Sequence, residues 1–177
     1  MSKTKWVIDP VHSQVLFKVR HLMITTITGY FRKFTVEAST DDDNFLEASD
    51  IHFTADVNAI DTNNHQRDAH LRSADFFDSE NFPEMTFAGK TIEGDIKHMV
   101  LKGDLTMHGI TKSVDVHVEF GGIIKDMYGQ IKAGFSIHGI VDRKDFGLQW
   151  GAVTETGNII VSDEVKFQGE VQLIKQV

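Results

Sequence analysis

Cysteine is absent from this chain of 177 residues, which excludes disulfides and thiolate metal sites. A cationic excess is absent too. Eighteen Lys and Arg against 26 Asp and Glu leave a net charge of −8, the wrong sign for a nucleic-acid or anionic-membrane surface. No run approaches the roughly 20 apolar residues that span a bilayer, so no stable membrane insertion is expected. The basic start around Lys3 and Lys5 is not followed by the apolar stretch of a secretory signal, and the expectation is a cytoplasmic protein. Composition shifts, linkers and internal repeats are missing as well. What is present suits one soluble domain over residues 1–177: hydrophobic content of 41%, charged content of 25%, and a length that can bury a substantial core.

The dominant pattern is alternation with period two, which marks about eight strands with one dry and one wet face. Phe17 and Val19 share a dry face with Val15, and Val36 shares one with Phe34 and Ala38. Phe53 and Val57 follow Ile51 and Ala55 in the same way, and Met85 pairs with Phe87. Met99, Leu101 and Leu105 alternate together with Gly103 and Met107, and Val116 and Val118 with Val114 and Phe120. Ala133 and Phe135 lie with Ile131 and Ile137, and Phe167 with Val165, Val171 and Leu173. Turn chemistry falls at 41–44, 93–95, Gly121–Gly122, 126–129 and Thr156–Gly157–Asn158, and links this short imply antiparallel neighbours. The dry faces must meet, in a sandwich or in a closed barrel. Eight strands close into a barrel that either fills itself or holds one small ligand. A polar insertion over 64–82 suits a barrel, where it serves as a lid or plug.

That insertion is where helical chemistry interrupts the strands, and a helical region is expected over 62–80. Asn63 with Gln66 resembles a capping box, and Asp68 and Arg72 stand at i,i+4 spacing. Ser73 caps a second short turn carrying Phe76 and Phe77, and Pro83 ends the segment. So short and polar a helix needs anchors, for which Phe76, Phe77 and Phe82 are available.

Nine histidines invite a metal reading, but the pattern does not support one. His65 and His70 do not share a helix face, and His52, His117 and His138 fall on the polar faces of separate strands. No metal site is expected. Ser13 beside His12 lacks the elbow motif of a hydrolase nucleophile. Arg67, His70 and Arg72, with His21 at a strand end, form the better polar cluster. They either tie the helix to the barrel through ion pairs or make a cationic mouth for a phosphate or another oxygen acceptor. Arg143 with Asp145 and Phe146 reads as a structural turn. The dry faces themselves allow a packed core or a hollow one. Small residues at Gly103, Ala133 and Gly169, and adaptable methionines at 85, 99 and 107, favour a hollow.

An ordered set of motifs carries a resemblance. It comprises Asp9-x-x-His12-Ser13, Val19-x-His21, Gly29-x-Phe31 and Asp61-Thr62. Then follow Arg67-Asp68-x-His70-Leu71-Arg72-Ser73-x-Asp75-Phe76-Phe77-Asp78 and Phe82-Pro83. Gly103-x-Leu105-Thr106-x-x-Gly109-x-Thr111-Lys112, Gly134-Phe135 and Arg143-x-x-Phe146-Gly147 complete it. Together they run from about residue 6 to 173 and resemble the YceI-like family of bacterial lipocalin-like lipid-binding proteins. The resemblance implies an all-β fold, a lipocalin-like antiparallel β-barrel of about eight strands with a short helical insertion. Its interior would hold a polyisoprenoid lipid, either an isoprenoid quinone or a polyprenyl phosphate, for carriage or storage. No cofactor other than that ligand, no nucleic acid and no covalent chemistry are implied, and a homodimer is left open. The apolar residues named strand by strand would then line the lumen, and His21, Arg67, His70 and Arg72 would meet the head group. The rival reading is an enzyme acting on a small lipid or phosphate ester through the helix-side His and Arg groups.

Overall fold

A computed structural model describes residues 3–151 and 161–177; the expected turn at Thr156–Gly157–Asn158 lies outside the described residues. The strands are β1 (Thr4–Ile8), β2 (Gln14–His21), β3 (Thr25–Phe31), β4 (Phe34–Thr40), β5 (Ser49–Asp56), β6 (Ile60–Asp61), β7 (Glu84–Gly94), β8 (His98–Met107), β9 (Ile110–Lys125), β10 (Ile131–Asp142) and β11 (Glu164–Lys175). One helix, α1 (His65–Arg72), lies between β6 and β7.

These strands make an eight-staved closed barrel because three staves are each built from two strands. β11 pairs with β1 through Leu173–Lys175 and with β2 through Lys166–Glu170, so β1 and β2 are one broken stave. The break is a 3-10 turn at Pro10–His12, opened by the Asp9 carboxylate accepting from Val11 N at 3.1 Å. β3 and β4 form the next stave, pairing with β2 and β1 respectively, and β5 with β6 the third. Each stave lies antiparallel beside its sequence neighbours, and β1 on β11 closes the ring. Closure removes the sheet edges that an open sandwich leaves.

Several local expectations change. β1, β3 and β6 are strands that the alternation did not mark: β1 and β6 have only five and two residues, and β3 reads TTITGYF, with little apolar alternation. Gly121–Gly122 is not a connection. It lies inside β9, where Gly122 at φ 115° accompanies a register shift against Gly134 and Phe135, a bulge that bends the stave. Val57 is not on a strand but opens a 3-10 turn capped by Asp56. The helix is shorter than 62–80, and its cap is Asn64, whose Oδ1 accepts from Arg67 N at 2.9 Å.

The two ends of the barrel differ. At one end Trp6, Ala38, Phe45, Ala133, Val171 and Leu173 pack into a plug, with Trp6 Nε1 donating to Thr40 Oγ1 at 2.8 Å. At the other, α1 and its trailing turn lean on the barrel through Phe76 and Phe77, both buried against Phe31, Ile60, Phe146 and Leu148. Burying each of those aromatics contributes about 2–3 kcal/mol, which holds a helix too short and polar to stand alone.

Candidate functional site

Between the two ends runs a cavity of about 450 Å³, within the range of small-molecule sites. It extends along the barrel from Ala38, Phe45 and Leu173 to His70, Arg143 and Trp150. Of the residues expected in the lumen, Phe17, Val19, Val36, Phe53, Met85, Phe87, Met99, Leu101, Leu105, Val116, Val118, Phe135 and Phe167 all line it. Two do not. Ala133 is wholly buried inside the Trp6 plug, and Val57 is buried in the core beneath the helix end, its turn having left the strand alternation.

The hollow does not arise from small residues acting as gaps. A methyl built on Gly103 would lie 2.6 Å from Phe87 Cζ and 2.3 Å from the Ala88 carbonyl oxygen, and one on Gly169 would lie 2.9 Å from Gln14 O. Gly29 and Gly139 meet the rings of Phe17 and Phe167 at 2.2 Å in the same way. The glycines instead let three phenylalanine rings from neighbouring staves lie back against the wall, so that large side chains line the cavity without filling it.

Polar groups lining the cavity among the described residues gather at the helix end: His21, Thr62, Arg67, His70 and Arg143. Thr62 is buried, and it organises the cluster. Its N and Oγ1 donate to Asp68 Oδ1 at 2.8 and 2.5 Å, while Arg67 Nε donates to Thr62 Oγ1 at 2.7 Å and Arg67 Nη2 donates to the Thr62 carbonyl. Asp68 therefore turns back to Thr62 and not to Arg72. Arg72 stands outside the cavity lining, because the side of α1 facing the lumen carries Arg67, His70 and Leu71. His70 Nε2 meets Asp75 Oδ2 at 2.9 Å, and its ring packs edge-on against Phe76 and Trp150 at 5.0 and 4.9 Å.

Arg143, read as structural, is almost fully buried and donates to the carbonyls of Leu148 and Trp150, both at 2.6 Å, and of Ser162 at 3.0 Å. Burial pushes its guanidinium below the ordinary value, with Asp163 and Asp142 opposing. It ties β10 to the segment leading into β11 and also borders the cavity, a contact its motif position did not reveal. Thr62 and Trp150 were missed as well. Asp61-Thr62 in the motif set was the available signal for the first; Trp150 carried none.

Other polar candidates are occupied elsewhere. Ser13 Oγ donates to Gln172 O and accepts from Gln172 N, stapling β11, and is not poised as a nucleophile. His52, His117 and His138 are exposed on the outer face, the last two stacked at 5.0 Å. Among the described residues no three His, Asp or Glu side chains converge as a metal-ligand set, and no helix is long and apolar enough to cross a membrane.

The YceI-like domain model matches residues 6–173. The chain belongs to the YceI-like family. A relative among the UPF0312 proteins, from Staphylococcus epidermidis, is 36% identical over 172 residues, covering 96% of each chain. The YceI-like barrel is also similar to solved structures. BcnA of Burkholderia cenocepacia matches with a TM-score of 0.80 at 22% identity, covering 93% of this chain and 98% of that one. A polyisoprenoid-binding domain from Saccharophagus degradans matches with a TM-score of 0.69 at 12% identity, covering 97% and 98%. At these identities the two structures bear on the fold.

Proposed function

We propose that this YceI-like barrel is a binding protein, not an enzyme, and that it holds a polyisoprenoid lipid in its lumen as carrier or store. The observation that carries the reading is the long apolar cavity whose polar lining groups sit at one end. An isoprenoid chain has no polar atoms to satisfy, and each five-carbon unit buried is worth roughly 4 kcal/mol gross, at about 0.8 kcal/mol per carbon, before ordering costs. The polyisoprenoid-binding domain of Saccharophagus degradans, with the same fold, supports it. The tail runs toward the Trp6 plug. The head group, a quinone carbonyl or a phosphate, accepts from Arg67 beside His70 and His21 at the helix end. Arg67 suits either, since its bonds to Thr62 leave guanidinium donors for a ligand.

The test is solvent extraction of the purified protein followed by mass spectrometry, with titration of isoprenoid quinones and polyprenyl phosphates read by tryptophan fluorescence. Trp150 on the cavity wall should quench on binding. Extracted isoprenoid and saturable quenching are expected, and Arg67→Gln should weaken binding about tenfold while a head-less isoprenoid hydrocarbon is unaffected. Absence of both lipid and quenching, or turnover of an added ester, would overturn the reading.

A further inference from the structure

The hairpin joining β2 to β3 is built against turn chemistry. Ile24 N donates to His21 O at 3.1 Å, and Leu22 and Met23 between them have φ of 52° and 58°. Two successive left-handed residues in a tight hairpin favour Asn and Gly. This turn carries Leu-Met-Ile instead, and leaves Met23 53% and Ile24 72% exposed. Strain and exposure thus coincide at Met23, between a half-buried Leu22 and an exposed Ile24.

The place of this tip gives it meaning. His21 and Ile27, on either side of it, both line the cavity. With a rise of about 3.3 Å per residue, the tip stands within about 10 Å of these two lining residues at the helix-end mouth. Arg20 braces it, Nη2 donating to Met23 O and Nη1 to Thr26 Oγ1, both at 3.0 Å. A cation is thereby set just behind an apolar point, the arrangement that places a guanidinium at head-group level and apolar groups in the acyl boundary. The net charge of −8 selects a zwitterionic surface over an anionic one.

We propose that Leu22, Met23 and Ile24 form a docking tip that seats the mouth of the barrel reversibly on a lipid bilayer, so that the ligand passes between membrane and lumen without crossing water. The proposal rests on the lumen reading above. Exposed Met127 and Tyr128 lie on the β9–β10 hairpin at the opposite, plugged end and serve as the control.

The experiment is co-sedimentation with phosphatidylcholine vesicles, with and without an isoprenoid quinone in the bilayer, alongside binding of a water-soluble short-chain quinone in the absence of vesicles. The wild type should sediment with vesicles and extract quinone. Met23→Asp with Ile24→Asp should reduce both at least tenfold and leave short-chain quinone binding unchanged. Met23→Gly, which suits the left-handed turn and keeps the hairpin folded, should reduce vesicle binding in the same direction. Met127→Asp should change neither. Wild-type protein that stays in the supernatant, tip variants that sediment like the wild type, or loss in Met127→Asp would overturn the docking tip. So would a tip variant whose only change is weaker self-association, since the tip would then join two copies of this chain. Failure of every form to bind short-chain quinone would instead sink the lumen reading, while the vesicle result still decides the tip.

Discussion

Replacing one wall glycine with alanine should have opposite consequences depending on what the new methyl meets. At Gly29 the three nearest atoms are all from the Phe17 ring, the closest at 2.2 Å, and the backbone there is not left-handed. Carbon atoms settle about 3.5–4.0 Å apart, so the ring must move by roughly 1.5 Å. It is the far end of a side chain that borders the hollow, and it can swing inward. An off-rotamer ring costs about 0.5–1.5 kcal/mol, and the lost backbone freedom of the unfolded glycine returns about 0.4–1 kcal/mol. Gly29→Ala should therefore lose no more than about 1 kcal/mol, while Phe17 enters the lumen and isoprenoid affinity falls about tenfold. At Gly103 the nearest atom is the Ala88 carbonyl oxygen at 2.3 Å. Backbone of an adjacent paired stave cannot swing aside, so Gly103→Ala should cost about 3 kcal/mol, the top of the overpacking range. Urea melts of the two variants, with quinone titration of whichever stays folded, make the comparison. Equal destabilisation, or a Gly29→Ala protein that binds quinone as tightly as wild type, would refute the idea that glycines hold the rings off the lumen.

Two further outcomes follow from the plugged end. Ala133 has no exposed surface and sits against Trp6, Phe45, Val171 and Leu173, so Ala133→Phe should unfold or destabilise the barrel by about 3 kcal/mol or more in a thermal melt, and a well-folded variant would contradict the plug. Burial alone would raise the Asp9 carboxyl, but hydrogen bonds from Lys132 at 2.8 Å, His12 and Val11 N outweigh it and lower its pKa from 3.8 to about 2. Its ionised form therefore stabilises the fold fully above the unfolded value near 4, and that contribution, about 1–2 kcal/mol after solvent screening, is lost as pH falls from about 4 to 2. Asp9→Asn should flatten the acid limb of a stability–pH curve in that window, and an unchanged limb would show that Asp9 carries none of it.

What the amino-acid sequence determined by itself is what depends on near neighbours. Period-two alternation is a property of one strand, so Phe17, Val36, Phe53, Met99, Val116 and Phe167 were legible as inward-facing without knowing their partners. The polar break between β6 and β7, its need for Phe76 and Phe77 as anchors, and the ordered motifs of the YceI-like family were legible for the same reason. The tertiary structure decided whatever depends on what arrives from across the barrel. Ala133 and Leu101 both lie on inward faces, yet one is sealed beneath Trp6 and Phe45 and the other borders a hollow. Gly103 reads as a gap until the Phe87 ring from the next stave is found lying on it. Asp68 had two partners within reach, and Thr62, brought over by the end of β6, took it from Arg72. The broken staves were equally hidden, because β1 and β2 count as one only when β11 is seen to run along both. Closure of a sheet on itself is a relation between the first stave and the last, and the hollow exists only through that closure.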